Sequence, residues 1–218
     1  MSFTLVLITS FSVLIPAVIG WVRFKKIHPT FYPFVFFIWL GLLNEMISTI
    51  VIHGFHLSNA INSNIYVLLE GLFLLWQFQR WGNFTGKKGF FLFYLFLFMA
   101  VWLAENFYIS KITYFSSYFR MIYSGIICLM SINYLNFIIV RERTNLLLNS
   151  SFLICGAFII YYAYKAMVEA FWIYGLNNSS SFRINVYNIL GYINLLTNCI
   201  FALAITWIPK KQRFSLPS

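Results

Sequence analysis

Long apolar runs alternate with short polar connections along the whole chain. They occupy residues 3–20, 31–52, 62–80, 89–108, 117–139, 150–174 and 183–207. About 20 helical residues cross a hydrocarbon core. The pattern therefore predicts an all-α polytopic membrane protein. Its expected fold is a bundle of seven transmembrane helices over residues 1–208, followed by a short basic tail at 209–218. No linker, low-complexity segment or soluble output domain interrupts the run, and the tail is too short for a catalytic module.

Charge placement sets the expected orientation. Arg23, Lys25 and Lys26 follow the first run; Arg80, Lys87 and Lys88 the third; Arg141 and Arg143 the fifth; Lys210, Lys211 and Arg213 the seventh. These are 11 of the 15 basic residues, all on alternate connections. Cytoplasmic loops collect Lys and Arg, so the amino terminus is expected outside and the carboxyl terminus in the cytoplasm, as in a bacterial inner membrane. Hydrophobic residues make up 61% and charged residues 9% of the chain, against about 25% charged in soluble domains. The net charge of +10 then reads as a rim facing anionic lipid headgroups, with no nucleic-acid role.

The first run lacks a preceding basic residue and has a basic cluster directly after it, the reverse of a cleavable signal. It is expected to be an uncleaved helix. Cys128, Cys155 and Cys199 lie within spans without CxxC spacing and read as packing residues. Trp21, Trp81, Trp207, Trp102 and Trp172 fall near expected span ends, where indoles favour the membrane interface.

Aligning the outward-running helices on Glu45, Glu105 and Glu169 gives a weak repeat. Each acid is followed by an outer turn, a helix beginning near Ser63, Ser117 or Ser181, and an apolar-Tyr pair ending in Tyr66, Tyr123 or Tyr187. Asn64 and Asn185 hold equivalent places. Two arrangements fit: three related hairpins behind an extra helix, or a pairing of spans 1–3 with 5–7 as in small sugar carriers.

The chemistry resides in ionisable groups within the spans. Glu45, Glu70, Glu105 and Glu169 fall roughly 5–12 Å below the outer span ends at ~1.5 Å per residue. Arg120, Lys165 and Arg183 share that half, with Asn44, Tyr66, Asn185, Tyr187 and Asn188. An ionisable side chain at mid-bilayer costs about 2.5–3.5 kcal/mol on insertion scales, so such groups face a bundle interior or a wet cavity. The expected site is an outward-facing polar cavity with a closed, apolar floor. Its ligand-binding or proton-binding residues are Glu45, Glu70, Arg120, Lys165, Glu169, Asn44, Tyr66, Asn185, Tyr187 and Asn188. Lys165 and Glu169 should be neighbours one helical turn apart. Glu45 and Glu70 are expected to meet across their hairpin. Arg120 would hold an anionic group or neutralise Glu70 or Glu105. Glu105 and Arg183 read as rim residues.

Three function classes remain. His53 and His56 form H-x-x-H near Glu45 but lack a third strong ligand, so no metal and no cofactor is expected. The chain contains no Asp and no G-x-S-x-G, which removes a Ser/His/Asp triad and leaves an intramembrane hydrolase using paired Glu as the enzyme reading. A carrier needs broken helices and a midplane site. Pro16 alone lies inside a span, glycines are scattered and the bundle reads as stiff, which disfavours a transporter or channel. The leading expectation is a receptor-like or accessory binding protein, a sensor subunit whose cavity holds a small polar ligand, a lipid headgroup or a partner helix. Its expected partners are the lipid bilayer and another membrane protein or a cytoplasmic signalling partner.

Overall fold

The computed structural model describes residues 3–86, 88–141, 145–174 and 180–210; side chains are described for all of these except residues 3–6, 88, 180, 181, 183 and 184. The basic tail from residue 211 onward, with Glu142 and Arg143, lies outside the described residues. The described elements are helical: α1 (Phe3–Phe11), α2 (Leu14–Arg23), α3 (Tyr32–Thr49), α4 (Ala60–Arg80), α5 (Lys88–Ala104), α6 (Ser117–Arg141), α7 (Ser150–Ile173) and α8 (Ser180–Trp207). Among the described residues there is no strand, only an isolated bridge between Ile27 and Lys210.

Among the described residues, six segments are long and apolar enough to cross a membrane: Leu7–Lys26, Pro29–Gly54, Gly89–Ile109, Ser117–Arg141, Ser150–Ile173 and Asn185–Trp207. The protein is an integral membrane protein by that measure. Helix α4 has the length, 21 residues, but not the same apolarity, because it carries Asn62, Asn64, Glu70, Gln77 and Gln79. Its neighbours cover three of these groups, Asn64, Glu70 and Gln77, which are all buried, while Gln79 near its end is exposed.

The helices pack in a ring, antiparallel where consecutive spans meet and parallel where α4 meets α6 and α8 meets α2. The packing order is α2 on α3, α3 on α4, α4 on α6, α6 on α7, α7 on α8, and α8 back on α1 and α2. Helix α5 stands outside the ring against α4 and α6. The exterior is apolar, with Val22, Phe96, Leu129 and Val140 at least two-thirds exposed. The interior combines an aromatic and aliphatic core with buried polar groups such as Asn64, Glu70, Gln77 and Lys165. An apolar exterior with ionisable groups turned inward is the distribution that lipid demands.

The expected single first helix is interrupted. Ser12 and Val13 form a turn between α1 and α2. The cause is Pro16, which has no N–H to donate to the Ser12 carbonyl four residues earlier. Ile15 N–H bonds that carbonyl instead, at 3.2 Å, and the helical ladder resumes with Ala17 N–H to Val13 O at 3.1 Å. Helix α8 braces the turn: Asn194 Nδ2 donates to Thr9 O at 3.2 Å and Asn198 Nδ2 to Ser12 Oγ at 2.8 Å.

Other helix ends are fixed by long-range side chains. The fully buried Gln77 accepts from Phe34 N at 2.8 Å and donates to Thr30 O at 2.8 Å, clamping the start of α3 onto α4. Glu105 accepts from Tyr118 N at 2.9 Å and Phe119 N at 2.6 Å. Its carboxylate thereby satisfies first-turn donors of α6 at the positive end of the helix dipole. Glu105 is 3% exposed, so the rim assignment for it is wrong: its charge is held by backbone amides, not by water. Asn149 caps α7 by accepting from Phe152 N at 3.1 Å. At the basic end, Arg23 reaches the Thr206 carbonyl and His28 N–H donates to Pro209 O at 3.0 Å, joining the α2, α3 and α8 ends.

Candidate functional site

Glu70 lies at the centre of the bundle, where α4, α6 and α7 converge. Its carboxylate accepts from Tyr162 Oη at 2.6 Å, from Tyr123 Oη at 2.7 Å and from Lys165 Nζ at 3.1 Å. Lys165 also donates to the Tyr123 hydroxyl. Tyr162 and Lys165 sit one turn apart on α7, so both point at α4. The Lys165 ammonium is 5.0, 5.3 and 5.5 Å from the ring centres of Tyr123, Tyr161 and Tyr162. One carboxylate, three tyrosine rings and an ammonium thus form a lock across three helices. Close approach of α5 is possible here because residue 71 is glycine; a Cβ on it would lie 3.1 Å from the Phe98 ring.

A second pair lies closer to the end opposite the basic clusters. Arg120 is 3.8 Å from Glu169, donates to Ser63 Oγ at 2.8 Å and lies over the Phe115 ring. Glu169 also accepts from the Ser117 hydroxyl. The buried Asn64 ties α4 to the α5–α6 connection. Its amide donates toward Asn106 Oδ1 at 3.1 Å, Ile112 O at 3.0 Å and Tyr114 O at 2.6 Å, and its side-chain oxygen accepts from Ser116 N at 3.0 Å.

Beside the Glu70 lock is a cavity of about 90 Å³, lined by residues of α1, α3, α4, α7 and α8. Its polar lining comprises Ser10, Glu45, Tyr66, Glu70, Tyr161, Tyr162, Asn194, Thr197 and Asn198. The turn between α1 and α2 borders it through Val13, and Gly41 leaves room on α3. Phe37 and Phe201 close it toward the basic end, packed edge-on against each other and against Phe158, with Phe34 edge-on to Phe201 and stacked on Phe37. The floor is therefore aromatic, and there is room above it for several waters or one small solute.

The candidate residues divide into three sets. Glu45, Glu70 and Tyr66 line the cavity. Arg120, Lys165 and Glu169 form ion pairs, but the expected partners are exchanged: Lys165 bonds Glu70 rather than Glu169, and Glu169 pairs with Arg120. Helix rotation explains this, since the Lys165 side chain extends into the tyrosine cluster between α4 and α6. Asn44, Asn185, Tyr187 and Asn188 are outside the cavity. Asn44 accepts from Asn62 Nδ2 at 3.0 Å in an amide cluster with Ser48 and Asn59 that fixes the α3–α4 turn. Asn185 and Tyr187 are exposed, Tyr187 accepting from Trp172 Nε1, and Asn188 is half-buried. The Arg183 side chain lies outside the described residues.

Several lining residues were not anticipated as a group. Asn194, Thr197 and Asn198 lie at i, i+3 and i+4 of α8, one polar stripe in an apolar span, and that spacing was the available signal. Ser10, Tyr161 and Tyr162 carried no such signal. Among the described residues, no group of three or more His, Cys, Asp or Glu is placed to hold a metal ion. Cys128, Cys155 and Cys199 are free thiols.

No protein-family model matches the chain, and neither a curated protein nor a solved structure shows significant similarity to it.

Proposed function

We propose that the protein is a membrane-embedded binding protein, receptor-like or accessory, whose cavity holds a small polar ligand entering from the extracytoplasmic side. The observation that carries this reading is the cavity bounded by Glu45, Tyr66, Asn194, Thr197 and Asn198 above an aromatic floor. A polar hollow inside a membrane bundle is costly to maintain without occupants, and its convergent polar groups are those of a ligand site. The basic residues at the opposite end support the orientation. The Glu70–Lys165–tyrosine lock supports a rigid wall for the site, with its own charges already satisfied.

A second reading, a carrier, draws support from the interrupted first span. Discontinuous helices beside a midplane cavity are a recurring feature of transporters, and the Ser12–Val13 turn borders this one.

One experiment separates the readings. The full chain, with Cys128, Cys155 and Cys199 replaced by Ser and Gly41→Cys introduced, is reconstituted in sealed vesicles and treated with a membrane-impermeant maleimide from either side. Labelling only from the side of the α3–α4 connection is the result expected of a binding protein; labelling from both sides points to the carrier. An introduced thiol that reacts from neither side, or only from the basic side, removes the proposal.

A further inference from the structure

We infer that the cavity accommodates a small protonated amine, with the Glu45 carboxylate as its counter-ion; this rests on the binding reading above. The argument begins with charge. Among the described residues, Glu70 is paired with Lys165, Glu169 with Arg120, and Glu105 with the amides of α6. Glu45 receives only the Ser10 hydroxyl. A carboxylate at this depth, lining a cavity without a cation, is the group whose charge a ligand would complete.

The chain itself contains the template. The Lys165 ammonium is accommodated by one carboxylate and the rings of Tyr123, Tyr161 and Tyr162. The cavity presents the same chemistry without an internal ammonium: Glu45 as carboxylate, with Tyr66, Tyr161 and Tyr162 as aromatic walls. Aromatic faces attract ammonium groups by cation–π interaction, most strongly where water is excluded. Hydrogen-bond acceptors are at hand too. Thr197, 2% exposed, lines the cavity and its Oγ1 has no partner among the described residues. Asn198 sits one residue further on. The apolar remainder of the wall, Phe37, Ile38, Val13 and Phe201, suits the short alkyl portion of an amine better than the hydration shell of an alkali ion.

The test uses the full chain in lipid nanodiscs at constant ionic strength, titrated with ethylammonium chloride, sodium chloride and neutral acetamide. Intrinsic fluorescence and the thermal midpoint are the readouts. Ethylammonium is expected to bind saturably. Glu45→Gln weakens it about tenfold or more, the loss of one charge-assisted contact, while the ligand-free midpoint is retained. Gly41→Leu, which fills the cavity without altering any charge, blocks it. Thr197→Val provides an isosteric second variant, expected to weaken binding less than Glu45→Gln. Equal saturable binding of sodium, or an unchanged ethylammonium affinity in Glu45→Gln and Thr197→Val, overturns the inference. Saturable acetamide binding that Gly41→Leu abolishes, with no ethylammonium response, overturns the amine and keeps the binding site. No saturable response to any of the three solutes, in either the parent chain or Gly41→Leu, removes both.

Discussion

The Lys165 ammonium lies 3.1 Å from the Glu70 carboxylate, and the Tyr123 hydroxyl is bonded to both. Glu70 is 1% and Lys165 7% exposed, so each charge depends chiefly on the other and on the tyrosine hydroxyls. Removing one partner strands the other. Lys165→Met is expected to destabilise the bundle by about 3–5 kcal/mol, and the double variant Glu70→Gln/Lys165→Met to recover much of that loss. Reversible unfolding in mixed micelles measures both. Additive losses in the double variant would mean that the pair is not coupled.

Gly71 is the contact point between α4 and α5. An added methyl would fall 3.1 Å from the Phe98 ring, in a span where Phe98 is 1% exposed and has little freedom to move. Gly71→Ala should cost about 1–3 kcal/mol by overpacking. Phe98→Leu added to Gly71→Ala should return part of it. If Gly71→Ala unfolds at the parent's denaturant midpoint, α5 is not held against α4 at this point.

Gln77 makes two backbone hydrogen bonds to the start of α3 from a fully buried position. Replacing it with Leu keeps the bulk and leaves Phe34 N–H and Thr30 C=O unpaired. The expected loss is about 1–3 kcal/mol for each stranded group. Hydrogen exchange should show the accompanying fraying at the Phe34 amide, and protection equal to the parent there would refute the clamp.

Pro16 causes the turn between α1 and α2. Pro16→Ala restores a donor for the Ser12 carbonyl, and the first span is expected to become a continuous helix with a higher thermal midpoint. The straightened helix would withdraw Val13, whose Cγ2 lies 3.6 Å from where a Cβ on Gly41 would sit, and speed maleimide labelling of the Gly41→Cys variant. A lower midpoint would instead assign the turn to the Asn194 and Asn198 bonds that hold it open.

Spans were legible in the sequence because apolar length is a local property. So was the level along their helices that Glu45, Glu70 and Tyr66 share, and they line one cavity. Azimuth was less accessible. Asn185, Tyr187 and Asn188 lie away from the cavity, while Asn194, Thr197 and Asn198, further along the same helix, face it. The Lys165 partner was missed for a related reason. Sequence spacing identifies Glu169 on the same helix, but the choice of Glu70 depends on how α7 is rotated against α4 and α6. The turn at Ser12–Val13 was marked by Pro16, yet one proline in an apolar run does not reveal whether a neighbouring helix will brace the break. Asn194 and Asn198, about 185 residues away, decide that here.

The partnership between Glu70 and Lys165 joins residues 95 positions apart. At a synthesis rate of about 5–20 residues per second, α4 emerges from the ribosome roughly 5–20 s before the cation that completes it. Helix α4 is also the least apolar of the spans. Its final seating therefore belongs to a late step of biogenesis, after α7 has arrived, and the order in which the helices are made is not the order in which they settle.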